Sequence, residues 1–246
     1  MIHVMAVSKP STEIVAELRQ RMRALGQTQR GTGPELASTG CAAIDSLFSG
    51  GGIRRGTFIE WVGYRSANEA AIASLLVARH LVSRDLPWML IDPTQSIHAP
   101  TLQSLGFPLS QVLYVTPPTD EELLWSCDQA LRCRSLPLLW VLEPKGDATT
   151  FRRYQIAAED AGALAMFVFG PQRRLHRCWG EVRLQVEVLP SLHGQPRFRI
   201  EVLRSRTGNA GLSVIVGVDE TGQFHDEETL RLPVVPELAH PTAGVG

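Results

Sequence analysis

Residues Gly63-Tyr64-Arg65-Ser66-Ala67-Asn68-Glu69-Ala70 have the spacing of a phosphate-cradling loop, placed between an apolar strand expected over residues 57–62 and a long helix. A working loop of the form G-x-x-x-x-G-K-[ST] aims backbone N–H groups and one ammonium at phosphate oxygens and lends a hydroxyl to magnesium. Here the second glycine is Asn68, the lysine is Glu69 and the hydroxyl residue is Ala70. Asn68 adds a Cβ where close backbone approach wants none, and Glu69 brings negative charge where a cation would neutralise phosphate. Ala70 cannot ligate a metal. The loop therefore reads as the scaffold of a nucleotide site without its chemistry, and no catalytic residue, cofactor or metal is expected.

The other candidates are mostly arginines. Arg132 and Arg134 close one expected helix, Arg152 and Arg153 stand side by side in the next, and Arg173, Arg174 and Arg177 surround His176 ahead of Trp179. Guanidiniums grip phosphates and an indole stacks a base, so Arg152, Arg153, Arg173, Arg174, Arg177 and Trp179 are candidate contacts to single-stranded DNA or to an acidic protein surface. A solvated loop with Trp179 packed on the sheet is the competing reading. Neighbours on a helix point about 100° apart, so at least one of Arg152 and Arg153 serves the surface or a partner. Asp92 ends a strand and is expected to cap the turn that follows it over residues 94–98. Cys41 lacks a neighbouring base that would make its thiolate, and His80 and His98 stand alone.

Composition places these residues in one α/β domain with additions. The chain has 246 residues, 44% hydrophobic and 20% charged, with a formal net charge of -1. That suffices for a large core and gives no support for wholesale nucleic-acid binding. Four cysteines without C-x-x-C spacing suit core fillers in a reducing cytoplasm, and no apolar run reaches membrane-spanning length. Residues 1–36 are expected to form an amphipathic helix and flexible link, 37–232 the core and 233–246 a mobile tail. In the first segment Ile14, Leu18, Met22 and Leu25 share one stripe, a candidate docking ridge for a protein partner.

Strands are expected over 86–92, 112–115, 138–142 and 164–169, with helices opening at Thr119 or Asp120 and spanning about 150–161. Strands alternating with helices argue a mostly parallel sheet covered on both faces. Beyond Gly170 the pattern becomes apolar–polar alternation over 182–188 and 198–202, a half-solvated antiparallel pair, with a further strand over 212–218. Trp61, Trp88, Trp125 and Trp140 fall in elements expected to be buried.

Ser38-Thr39-Gly40 with Asp45, then Gly50-Gly51-Gly52-Ile53, Gly56 and the strand into Gly63, resemble the opening of the RecA recombinase core. Leu90-Ile91-Asp92-Pro93 with Ala99, Leu105 and Gly106 is similar to that family's next strand and loop. Residues 138–143 stand at its Walker B strand and 165–170 at the strand leading to its second DNA-binding loop, so the resemblance runs from Thr39 to Asp219. Leu124-Trp125, residues 129–133 and residues 151–159 resemble the ImuA-type accessory proteins of bacterial mutagenesis cassettes, and more distantly the SulA-type cell-division inhibitors.

The resemblance implies a RecA-like three-layer core with a mostly parallel sheet, C-terminal antiparallel strands and an extra N-terminal helix. It also implies a cytoplasmic adaptor in translesion synthesis, working beside an inactive Y-family polymerase relative, an error-prone replicative-type polymerase and RecA. Position by position, it puts Thr94 at the catalytic glutamate, Glu143 near the Walker B aspartate and Gly170 at the γ-phosphate-sensing glutamine, so the family's ATPase activity is not expected. A SulA-like division inhibitor and a divergent recombinase relative binding ATP and single-stranded DNA stay open as alternatives.

Overall fold

The computed structural model describes residues 4–6, 36–82 and 86–231. Strand β1 (Val4–Ala6) is followed by β2 (Leu36–Ala37), helix α1 (Ala42–Ser46), β3 (Ile53–Arg54) and β4 (Phe58–Gly63). Helix α2 (Ala67–Leu81), β5 (Trp88–Ile91), α3 (Ala99–Ser104), β6 (Val112–Thr116), α4 (Asp120–Leu131), β7 (Leu138–Leu142), α5 (Ala148–Ala161) and β8 (Leu164–Phe169) continue the alternation. The chain then turns to strands alone: β9 (Val182–Leu192), β10 (Gln195–Ser205), β11 (Leu212–Val218) and β12 (Phe224–Arg231).

The main sheet has 10 strands in the order β1-β6-β5-β7-β8-β4-β9-β10-β11-β12. Pairing is parallel from β1 to β9 and antiparallel from β9 to β12. Strand β4 is buried at every position because strands flank both its edges and other elements cover both its faces. Its period of two divides the core. Ile59 and Trp61 pack with α1, α2 and α3 on one face, while Phe58 and Val62 pack with α4 and α5 on the other. These are the three layers of an α/β core, with antiparallel strands added at its C-terminal side.

Local sequence explains the helix ends. Thr119 caps α4 by accepting the Glu122 N–H, and Asp120, Glu121 and Glu122 place negative charge in the first turn. Asp147 caps α5 through the Thr150 N–H, so the helix starts at Ala148, two residues before the expected start, and Gly162 ends it at φ 69°. Ala70, Ala73 and Ala78 are fully buried along α2, so that helix lies close to the sheet.

Two expectations are corrected. The alternation over 182–188 does not mark a half-solvated strand: Arg183 and Gln185 are buried with their apolar neighbours, and β9 lies between β4, with which it pairs parallel, and β10, with which it pairs antiparallel. The connection over residues 170–181 covers that face. Among the tryptophans, Trp61, Trp88 and Trp140 are fully buried, whereas Trp125 is 39% exposed on the outer side of α4. The stripe of Ile14, Leu18, Met22 and Leu25, and the segment 233–246, lie outside the described residues.

Candidate functional site

Because β4, β5, β7 and β8 run parallel, their carboxyl ends share one edge of the sheet, where α/β proteins place ligands. The turn after β4 is shaped by the S-x-x-E sequence that opens α2. Ser66 caps the helix, and Glu69 completes a capping box three residues on. Glu69 Oε2 accepts the N–H of Arg65 at 2.6 Å and that of Ser66 at 3.4 Å. Amides in this turn are what a phosphate-binding loop would aim at its ligand, and here a carboxylate of the same helix holds them.

Gly63 is dictated by space. A Cβ there would lie 1.6 Å from the Ser66 carbonyl oxygen. The turn therefore closes on itself, its interior filled by one carbonyl and one carboxylate. Asn68 points to solvent, and Ala70 packs into the core at 0% exposure. A phosphate entering this turn would meet two acceptor oxygens.

Asp92, at the end of β5, is fully buried. It accepts the Thr94 N–H at 3.0 Å and the Ile97 N–H at 2.8 Å, and its oxygens stand 2.6 Å from Thr94 Oγ1, 3.3 Å from Ser96 Oγ and 3.1 Å from the Tyr114 hydroxyl. Burial and the Asp92 carboxylate raise the Tyr114 phenol, which stays a donor. Both Asp92 oxygens are thus engaged in folding the loop that follows β5, and Thr94 is part of that same loop.

Glu143 follows β7 at φ 46°, its N–H donating to the Val168 carbonyl at 2.8 Å. Its Oε1 lies 3.3 Å from the point a Cβ on Gly170 would occupy, so Glu143 and Gly170 adjoin across the ends of β7 and β8. Among the described residues no group of three or more His, Cys, Asp or Glu side chains gathers at metal-binding range.

The most heavily bonded acid of this region was not singled out in the sequence. Glu60, in the middle of β4, is fully buried. Its carboxylate meets Arg183 Nη2 at 2.6 Å and Nε at 2.8 Å, Arg173 Nη2 at 3.1 Å, and the N–H groups of Trp179 at 2.8 Å and Gly180 at 3.2 Å. Burial would raise this carboxyl, but Arg173 and Arg183 overcome it and hold Glu60 below its ordinary value. Arg183 also donates to the carbonyls of His176 at 2.8 Å and Arg177 at 3.0 Å. One buried acid thereby pins the whole connection from β8 to β9. A single glutamate within Phe58-Ile59-Glu60-Trp61-Val62 was the available signal, since a charge there must be paired.

This clamp sorts the arginines of that loop. Arg173 turns inward onto Glu60, its guanidinium also lying over the Phe151 and Phe169 rings, and its side chain is only 12% exposed. Arg174 stays at the surface, stacked on Tyr64 and donating to Gln185 at 3.0 Å. Arg177 stacks on the half-buried Trp179 at 4.6 Å. Between them Leu175 is 90% exposed. The arrangement leaves Arg174 and Arg177 at the surface and turns Arg173 inward.

On α5, Arg152 donates to Gln155 at 2.9 Å and Arg153 reaches Asp128 of α4 at 3.1 Å. Gln155 also receives Arg206, which touches the Trp179 carbonyl at 3.4 Å and so links α5 to the clamped loop. Cys41 is buried, and burial together with Asp226 pushes its thiol up, away from a reactive thiolate. His98 precedes α3, and the His80 ring packs so close to Gly40 that a Cβ there would lie 2.6 Å from Nδ1.

No protein-family model matches the chain, and no curated protein does.

Proposed function

We propose that the protein is a non-catalytic, RecA-like accessory or adaptor protein of DNA-damage-induced translesion synthesis. In this reading it bridges an inactive Y-family polymerase relative, an error-prone replicative-type polymerase and RecA, through the stripe of Ile14, Leu18, Met22 and Leu25. The observation that carries its non-catalytic half is Glu69, whose carboxylate takes the Arg65 and Ser66 amides at the head of α2. The arrangement of Thr94, Glu143 and Gly170 on one sheet edge supports the same reading: each stands where the resemblance expects a nucleotide-handling residue, and Thr94 is bonded to Asp92 within its own loop. None of the described helices is long and apolar enough to cross a membrane, which fits partners in solution.

Affinity purification from native cells after DNA damage, with a nuclease-treated parallel sample, tests the partner half. Recovery of a polymerase relative or RecA that survives nuclease supports the adaptor. Recovery lost on nuclease treatment transfers the role to direct DNA contact, and recovery of division proteins alone replaces the reading with that of a division inhibitor.

A further inference from the structure

We infer that the groove between the C-terminal end of α4 and the outer face of α5 is a docking site for an acidic peptide segment of a partner protein that carries one bulky aliphatic side chain. The groove encloses about 490 Å³ and is lined by Arg132, Arg134, Arg152, Arg153, Ile156 and Asp160, with small residues between them. Its volume is within the range of ligand clefts, about 300–1,000 Å³.

The charge in this groove is only partly compensated. Arg132 and Arg153 share the single Asp128 carboxylate, at 2.7 and 3.1 Å. Arg152 leans on the neutral Gln155 amide oxygen. Arg134 is exposed and has no ion-pair partner among the described residues. Asp160 is the acid in the lining; with Asp128 behind Arg132 and Arg153 also counted, four arginines still leave a formal charge of +2. Guanidinium forks match carboxylates in pairs, which suits Glu and Asp side chains of a peptide.

Ile156 decides between a peptide and a nucleic acid. It is 43% exposed on α5, whose opposite face supplies Phe151, Tyr154 and Ala158 to the core. An exposed isoleucine ringed by arginines calls for an aliphatic partner. Among the described residues no aromatic ring lines the groove to stack a base. The inference deepens the adaptor reading and rests on it for the existence of a protein partner; a synthetic probe replaces that partner in the test, so the two can fail separately.

The probe is a fluorescein-labelled peptide of about a dozen residues, Glu- and Asp-rich around a central leucine. It is titrated by anisotropy into the full chain beside a version with serine at the centre and an oligothymidylate of equal length. The leucine peptide is expected to bind best, and Arg134→Glu/Arg152→Glu to weaken it about tenfold or more. Ile156→Ser should erase the advantage of leucine over serine. Arg65→Glu, an exposed arginine on the β4–α2 turn, should leave binding unchanged. If the double reversal lowers the thermal midpoint, Arg134→Gln/Arg152→Gln is held to the same requirement. Equal binding of the leucine and serine peptides, equal loss with Arg65→Glu, or an oligothymidylate that binds more tightly and responds to the groove variants overturns the proposal.

Discussion

Arg183 Nη2 stands 2.6 Å from Glu60 Oε2, and the two residues are direct partners in the parallel register of β4 and β9. The pair lies where neither side chain meets water, so each charge depends on the other. Glu60→Gln would leave two guanidiniums facing a neutral amide. Removing one member of a buried pair costs about 3–5 kcal/mol, and that loss is expected in urea unfolding. Exchange of the Trp179 and Gly180 amides should accelerate together with it. Glu60→Leu combined with Arg183→Met should recover much of the loss, because a filled apolar site needs no pairing. A cost below about 1 kcal/mol for the single change would mean the clamp is not what holds the loop.

The same site sets an acid limit. The folded carboxyl of Glu60 is held below its ordinary value of 4.5, since the two arginines outweigh the burial that would raise it. A depressed carboxylate adds stability that is complete above the unfolded value and is lost as pH falls through the folded one. Thermal midpoints are therefore expected to be flat with respect to this group above pH 4.5 and to fall below it. In Glu60→Gln the part of the acid slope belonging to this group should vanish, and an unchanged slope would assign acid sensitivity to other carboxylates.

Much of the layering was legible in the sequence because period and punctuation carry it. Leu138-Leu139-Trp140-Val141-Leu142 reads as a strand buried on both faces, and Thr119 before three acids reads as a helix start. What failed was the reading of polar residues inside strands. Arg183 and Gln185 alternate like surface positions, and only the cover supplied by the loop over residues 170–181 makes them interior. No local pattern reports which loop will lie over a strand. Glu69 was legible in another sense. As a replaced lysine it announces a missing function, while Ser66-Ala67-Asn68-Glu69 spells a capping box that assigns the residue a positive role.

Asp92 anchors the loop after β5 with a buried carboxylate bonded to two backbone amides and facing three hydroxyls. Asp92→Ala strands those donors and is expected to cost about 3 kcal/mol or more, since bonds to a charged group contribute about 1.5–3 kcal/mol each. Tyr114→Phe deletes one partner and leaves four, so about 1 kcal/mol is expected. Denaturant midpoints of the two variants check the ratio. Equal costs would show that the phenol, not the carboxylate, organises this corner.

Whether the turn after β4 is closed by a side chain or by its own backbone can be separated at Glu69. Glu69→Ala removes the carboxylate that holds the Arg65 and Ser66 amides, and loss of a capping contact should cost about 1 kcal/mol. Glu69→Lys adds the missing cation as well. Neither change moves the Ser66 carbonyl, which sits 1.6 Å from where a Gly63 Cβ would be, and neither gives Ala70 a hydroxyl for magnesium. Titration of a fluorescent ATP analogue with magnesium is therefore expected to show no saturable binding in the native chain or in either variant, and phosphate release should stay at background. Binding gained by Glu69→Lys alone would mean that the backbone still offers a cradle and that the closure rests on one carboxylate. Binding and turnover in the native chain, abolished by Thr94→Ala, would make the carboxyl edge an active site and end the adaptor reading in its non-catalytic form.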